Sequence, residues 1–310
     1  MSLRRDKLLS LSTVLLALAG GVALGGGPLQ DGATPPSAGR ADAAALTRAR
    51  AETTALEQAR TFDDAYLRAT APRVLGDRLD GRTVAIVTLP GADPARVAEL
   101  IELVGVAGGA VTVQAHLRPA LLDVGNRQLV AELARQTQEA ARTPVETPSG
   151  TEGYQLAGRL LGHALLDHED AGAVGDRTGE GILAGLTTAG LVRTPESFTR
   201  RGSVVLLAAG APRGSADARQ GAASIVASLA DGLDASGDGA VLVGPSTAGA
   251  ADGVVGALRR TPVRKDVSTV DALDSLAGAV VAVRALAAEA DGNTGHYGDA
   301  DAPDGVIPPS

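Results

Sequence analysis

Four histidines, His116, His163, His168 and His296, are the side chains of this sequence best suited to bind a metal or move a proton near neutral pH. His163 and His168 lie five apart in "LLGHALLDHEDAG", about 140° around a helix, so they do not share a face. His163 and Asp167, four apart, would. His296 stands in "GNTGHYG", where Gly292 is placed to end a preceding helix in a left-handed turn. Gly295 and Gly298 let the chain fold back, so that His296 and Tyr297 can pin it by hydrogen bonds. That makes His296 a structural cap; the competing reading is a metal ligand. With no cysteine in the chain, disulfides, thiolate zinc sites and cysteine nucleophiles are excluded. Cu(I) prefers sulfur, and the only sulfur is in Met1. The histidines read better as buried or capping groups than as ligands, and no cofactor is expected. A metal role would need them brought together by folding or between chains.

Nucleophilic and phosphate chemistry have weaker signals. "GPSTAG" puts Ser246 after a strand, but the second glycine comes one residue too late for a nucleophile elbow, which makes Ser246 a helix cap. No Ser/His/Asp set accompanies it. "LPGADP" and "AAGAPRGS" are glycine-rich turns between strand and helix, where a helix N-terminus could cradle phosphate. Neither has the glycine spacing of a dinucleotide fingerprint or the lysine of a P-loop. The expectation is a protein that is not an enzyme.

The elements that position these residues alternate. "RTVAIVTLP" is a continuous apolar run of the kind buried on both faces of a parallel sheet. Asp93 then suits an N-cap, with Pro94 in the first turn of a helix through about Val106. "GGAVTVQAHL" is a second strand. The layout recurs in "SVVLLAAG", a helix over about 216–233, and "GDGAVLVG". Helices over 126–141, 153–166 and 178–190 lie between, and a short strand near Val267 leads into a helix from Asp271 to about Ala290. The prediction is an α/β fold: a three-layer open, mostly parallel sheet built from βαβ units.

In front of this domain (73–298) the pattern is different. A basic N-terminus, residues 1–7, precedes an uncharged run from Leu8 to Gly27, about the length a helix needs to cross a membrane. The positive-inside rule keeps the N-terminus in the cytoplasm and places the bulk outside the cell membrane, as a single-pass protein. A cleaved signal peptide ending at Ala17-Leu18-Ala19 is the competing reading, although the apolar run continues through Val22 and Leu24. Gly21 and Gly25, four apart, form a small-residue stripe suited to pairing two such helices, giving a homo-oligomer. Residues 28–40 read as a Pro/Gly/Ala linker and 41–72 as a helical stalk. In the stalk Leu46, Ala49, Thr53, Leu56 and Leu67 fit a heptad frame that Arg60 and Asp63 interrupt. Residues 299–310 read as a disordered acidic tail.

Of the 310 residues 45% are hydrophobic but only 2% aromatic, so the core is built from Ala, Val, Leu and Ile. A net charge of −8 argues against a nucleic-acid partner.

The order of the motifs adds a further indication. "LLSLSTVLLALAGGVALGGGPL", "RLDGRTVAIVTLPGAD", "GGAVTV", "LLGHALL", "VSTVDALDSLAG" and "TGHYG" follow one another along the chain. In this the sequence resembles the mycobacterial copper transporter (MctB) family of actinobacterial envelope proteins, which includes the SteB-type proteins linked to cell separation. The resemblance implies a single-pass membrane protein with a large extracytoplasmic α/β domain and a role in copper efflux or homeostasis, in some accounts as an outer-envelope pore. It supplies no catalytic residues. A protein partner in the envelope, with no copper bound, is the alternative role. A membrane barrel requires strands that alternate apolar and polar residues, and "VAIVTL" and "VVLLAA" do not alternate.

Overall fold

The unbroken apolar runs become strands buried on both faces. A computed structural model describes residues 37–140, 145, 147–151, 153–168, 174–194 and 200–309. The chain divides after Phe62 into two units, and the second, from Asp63 onward, holds the sheet. Its elements in order are α1 (Ser37–Leu75, which begins before the division), β1 (Thr83–Thr88), α2 (Pro94–Val106), β2 (Ala110–Leu117), α3 (Arg127–Ala140), α4 (Gly153–Leu165), α5 (Arg177–Thr188), β3 (Val192–Arg193), β4 (Val204–Ala208), α6 (Ala216–Asp234), β5 (Ala240–Val243), α7 (Val254–Leu258), β6 (Val267–Val270), α8 (Leu276–Ala290) and β7 (His296–Tyr297). The seven strands form one sheet in the order β3-β2-β1-β4-β5-β6-β7, parallel except for the β2/β3 pair.

The sheet is the middle of three layers. Val84 and Ile86 of β1 face a core shared with α2, α8 and the end of α1 at Ala71 and Leu75. Ala85 and Val87 face the other core, shared with α3, α4, α5, α6 and α7. The α2 helix steps from β1 outward to β2 on the first face, whereas α6 steps from β4 the opposite way on the second. These crossovers therefore share one hand, as parallel sheets nearly always require. The last crossover, β6–α8–β7, steps in the same direction as β4–α6–β5 but runs over the first face, so it has the opposite hand.

Local chemistry sets the helix ends. Asp93 caps α2 by accepting from the Ala95 N–H at 2.9 Å, with Pro94 in the first turn. The final helix begins at Leu276 and not at Asp271: Ser275 caps it by accepting from Gly278 N–H (3.0 Å), while Asp271 is fully buried in other bonds. Helices α4 and α6 approach backbone to backbone. A Cβ on Gly158 would lie 2.5 Å from the Leu229 carbonyl oxygen, one on Gly232 2.4 Å from that of Gln155, and one on Gly162 2.4 Å from the Ser236 hydroxyl.

Among the described residues no helix is long and apolar enough to cross a membrane; the expected membrane span, with Gly21 and Gly25, lies outside them. The stretch read as a disordered acidic tail carries bonds along its length: Asp304 accepts from His296 N–H at 2.8 Å, and Arg284 donates to the carbonyls of Pro308 and Pro309.

Candidate functional site

The histidines are held apart by the sheet. His116 is the last residue but one of β2 and His296 begins β7, five strands away in sheet order, roughly 24 Å at the usual inter-strand spacing. The His116 ring nitrogen Nδ1 meets the Thr88 hydroxyl at 2.6 Å, and burial, with Arg193 beside it, lowers its pKa. His163 and His168 lie near the amino end of β4, where Leu166 bridges to Gly202. His163 and Asp167 do not share a helix face, because α4 ends at Leu165. The His163 Nε2 lies 3.4 Å from Asp176, while Asp167 takes the buried Arg201 at 3.3 Å. His168 is exposed and meets Asp238 at 2.8 Å. Among the described residues no three His, Asp or Glu side chains are arranged to hold a metal.

His296 is 3% exposed and fully engaged. Arg259 Nε donates to the Thr269 hydroxyl oxygen at 2.8 Å, which leaves that hydroxyl hydrogen for His296 Nδ1 at 3.0 Å. Nε2 then carries the ring hydrogen and donates to the Arg264 carbonyl at 3.0 Å. Burial, then Arg259, lowers the His296 pKa, which favours this neutral tautomer. Asp271 pairs with Arg259 and accepts the N–H groups of Asp299 and Ala300, each at 2.9 Å. Gly292 (φ 76°) turns out of α8, and Gly298 (φ 132°) passes so close to Asp271 that a Cβ would overlap its carboxylate. Thus "GNTGHYG" and the residues after it lock the sheet edge. Ser246 begins a 3₁₀ turn without capping it, and its hydroxyl reaches Asp299 (2.8 Å) and Asp274 (3.1 Å), so it has no histidine base.

What the topology does create is a crevice at the carboxyl ends of β1 and β4, where successive crossovers leave the sheet in opposite directions. Open α/β sheets bind ligands at this point. Here it is a cavity of about 420 Å³ lined mainly by apolar groups, including Leu89, Pro90, Leu122, Ala222 and Val254. Its floor is the contact of the two glycine-rich turns: a Cβ on Gly210 would lie 2.0 Å from the Gly91 carbonyl oxygen. One rim is an ion pair, Arg219 Nη2 to Asp252 Oδ2 at 2.5 Å, with Arg219 also bonded to the Gly214 carbonyl at 2.7 Å. The hydrogen bond from Arg219 lowers the Asp252 pKa. Arg213 extends its guanidinium over Gly91, in the space a Cβ there would need, and is exposed without an ion pair among the described residues. Among the described residues this cavity holds shape, one free cation and no nucleophile–base pair.

Comparison with known proteins bears on the whole length. A family model described as "Copper transport outer membrane protein, MctB" matches residues 1–308. The chain belongs to the MctB family. Relatives named "Copper transporter MctB" from Mycobacterium tuberculosis and Mycobacterium bovis are each 28% identical over 303 residues, covering 95% of both chains. The relative of that name from Mycobacterium leprae is 28% identical over 237 residues, 73% of each. The resemblance read from the motif order is therefore a family relationship. The feature of this MctB-family chain that sequence reasoning passed over is the crevice. "LPGADP" and "AAGAPRGS" were each visible as turns between strand and helix, but only the sheet order makes them neighbours.

Proposed function

We propose that this chain is a single-pass, membrane-anchored envelope protein of copper homeostasis whose α/β domain binds rather than catalyses. The observation that carries this reading is the family match from residue 1 to residue 308, which takes in the apolar N-terminal run and the folded domain together. The basic residues before that run orient the domain outward. The domain's own chemistry supports binding: the crevice offers surface and charge, and Ser246 lacks a base. Copper is handled by the assembled protein, not by a preformed histidine cluster, since His116 and His296 stand at separated strands. Assembly has two surfaces: the Gly21/Gly25 stripe of the anchor, and α1, where Leu56, Phe62 and Tyr66 are each more than half exposed.

The test is a deletion strain grown in rising copper. Loss of the protein is expected to raise cell-associated copper and lower the tolerated concentration, and the full chain to restore both. A chain carrying Gly21→Leu and Gly25→Leu is expected to restore them poorly and to cross-link less in the membrane. Unchanged copper content in the deletion strain would reject the copper role.

A further inference from the structure

We infer that the crevice between the β1 and β4 turns binds a small molecule with an apolar body and one oxyanion, carboxylate or phosphate. This rests on the reading of the domain as a binding module and names what it binds. Volume comes first. About 420 Å³ lies at the small end of the ~300–1,000 Å³ typical of small-molecule sites, room for a metabolite-sized ligand but not a dinucleotide. Polarity comes second. Leu89, Pro90, Leu122, Ala222 and Val254 present apolar surface around the interior, which requires a ligand body of the same kind.

Charge decides the rest. Arg219 and Asp252 neutralise one another across 2.5 Å, and Arg219 also holds the Gly214 carbonyl. Arg213 is left as the cation of the lining without a counter-ion among the described residues. Gly210 and Ala211, also in the lining, have peptide N–H groups with no acceptor among the described residues. A planar guanidinium beside free peptide donors matches an oxyanion, and a cationic ligand would face Arg213 unpaired. Two glycines keep this arrangement open. A side chain at position 91 would displace the Arg213 guanidinium, and one at position 210 would force the turns apart.

The experiment uses the full chain in lipid nanodiscs, with empty nanodiscs as blank, and reads ligand binding by saturation-transfer NMR. The probes are phenyl phosphate, benzoate and benzyl alcohol, and inorganic phosphate, which has no C–H protons to observe, is read by its displacement of phenyl phosphate. The expected result is that phenyl phosphate or benzoate binds, and benzyl alcohol about tenfold more weakly. Arg213→Ala should weaken the anionic probe about tenfold. Ala222→Leu, which fills the cavity from a half-buried position, should abolish it. Phenyl phosphate against benzoate tells which oxyanion is preferred. Absence of binding by both aromatic anions overturns the inference, as does binding that neither substitution changes. Inorganic phosphate binding as tightly as phenyl phosphate, with Ala222→Leu indifferent, overturns it too, since no apolar body is then recognised. Arg213 is exposed, so a lost signal in Arg213→Ala with an unchanged denaturation midpoint is not misfolding. A chain that restores copper tolerance yet binds neither probe rejects the ligand alone; intact probe binding with no copper phenotype rejects the copper role alone.

Discussion

His296 shows how much one side chain can carry when both ring nitrogens are committed. Replacing it by alanine strips the Thr269 hydroxyl and the Arg264 carbonyl of their partners in a buried site. His296→Ala should cost about 2–4 kcal/mol in guanidinium unfolding of the full chain, and a loss below about 0.5 kcal/mol would show that the network is not holding the edge. Because the folded pKa lies below the ordinary histidine value, the unfolded chain takes up the proton first. The stabilisation from this group is therefore complete above about pH 6.5 and is lost as pH falls from there. The capping role was legible in "GNTGHYG" because glycines flank the histidine. Its partners were not, since Thr269 and Arg264 lie 27 and 32 residues away and meet it only when β6 and β7 pair. The same limit applies to the expectation that His163 and Asp167 share a helix face: helical spacing fails once the helix stops at Leu165.

Among elements, the α4–α6 contact is the least forgiving. Gly158 and Gly232 bring the two backbones into contact, so an added methyl group meets main-chain atoms that cannot rotate away. Gly158→Ala should destabilise by more than about 2 kcal/mol. Gly181→Ala, in α5 with open space around it, should instead stabilise by about 0.5–1 kcal/mol through helix propensity. Thermal unfolding of the pair checks both signs, and a neutral Gly158→Ala would mean that the helices can separate. The signal stands in the sequence as Gly158-x-x-x-Gly162, the same small-residue spacing noticed in the apolar run at Gly21 and Gly25. It was passed over because the spacing is taken as a membrane device, although close approach needs only small side chains. The longer strands and helices were legible from period and length: β1, β4 and β5 are apolar runs bounded by turns, while β2 and β6 mix apolar with polar residues. Strands β3 and β7 were not: two residues have no period, and their existence follows only from what they lie against.

For the molecule as a whole, the layers leave acid groups packed at the amino end of β5, opposite the crevice. Burial, then Glu289, pushes the Asp234 pKa up to about 7, and burial raises Glu289 as well. Folded Asp234 thus keeps a proton that the unfolded chain releases. Its favourable contribution is full below about pH 3.8 and gone once pH has risen through about 7. Asp234→Asn should therefore stabilise the protein at pH 8, on the order of 2 kcal/mol, and change little near pH 4. Denaturation midpoints at the two values decide it, and an equal effect at both would mean that the carboxyl is ionised throughout. Nothing in the sequence signals this, since Asp234 and Glu289 belong to helices on opposite faces. Nor does it signal the reversed hand of the last crossover, which is a property of the path and of no residue.

That reversed path ends at Tyr297, and the chain has no tryptophan and only three tyrosines. Tyr66 is open to water on α1, Tyr154 is buried on the α4 side of the sheet, and Tyr297 is buried on the α8 side. The protein therefore carries one chromophore in each of its two cores and one outside both. In a chain where the other two tyrosines are phenylalanine, the ultraviolet signal of Tyr297 alone times the moment at which the final strand closes.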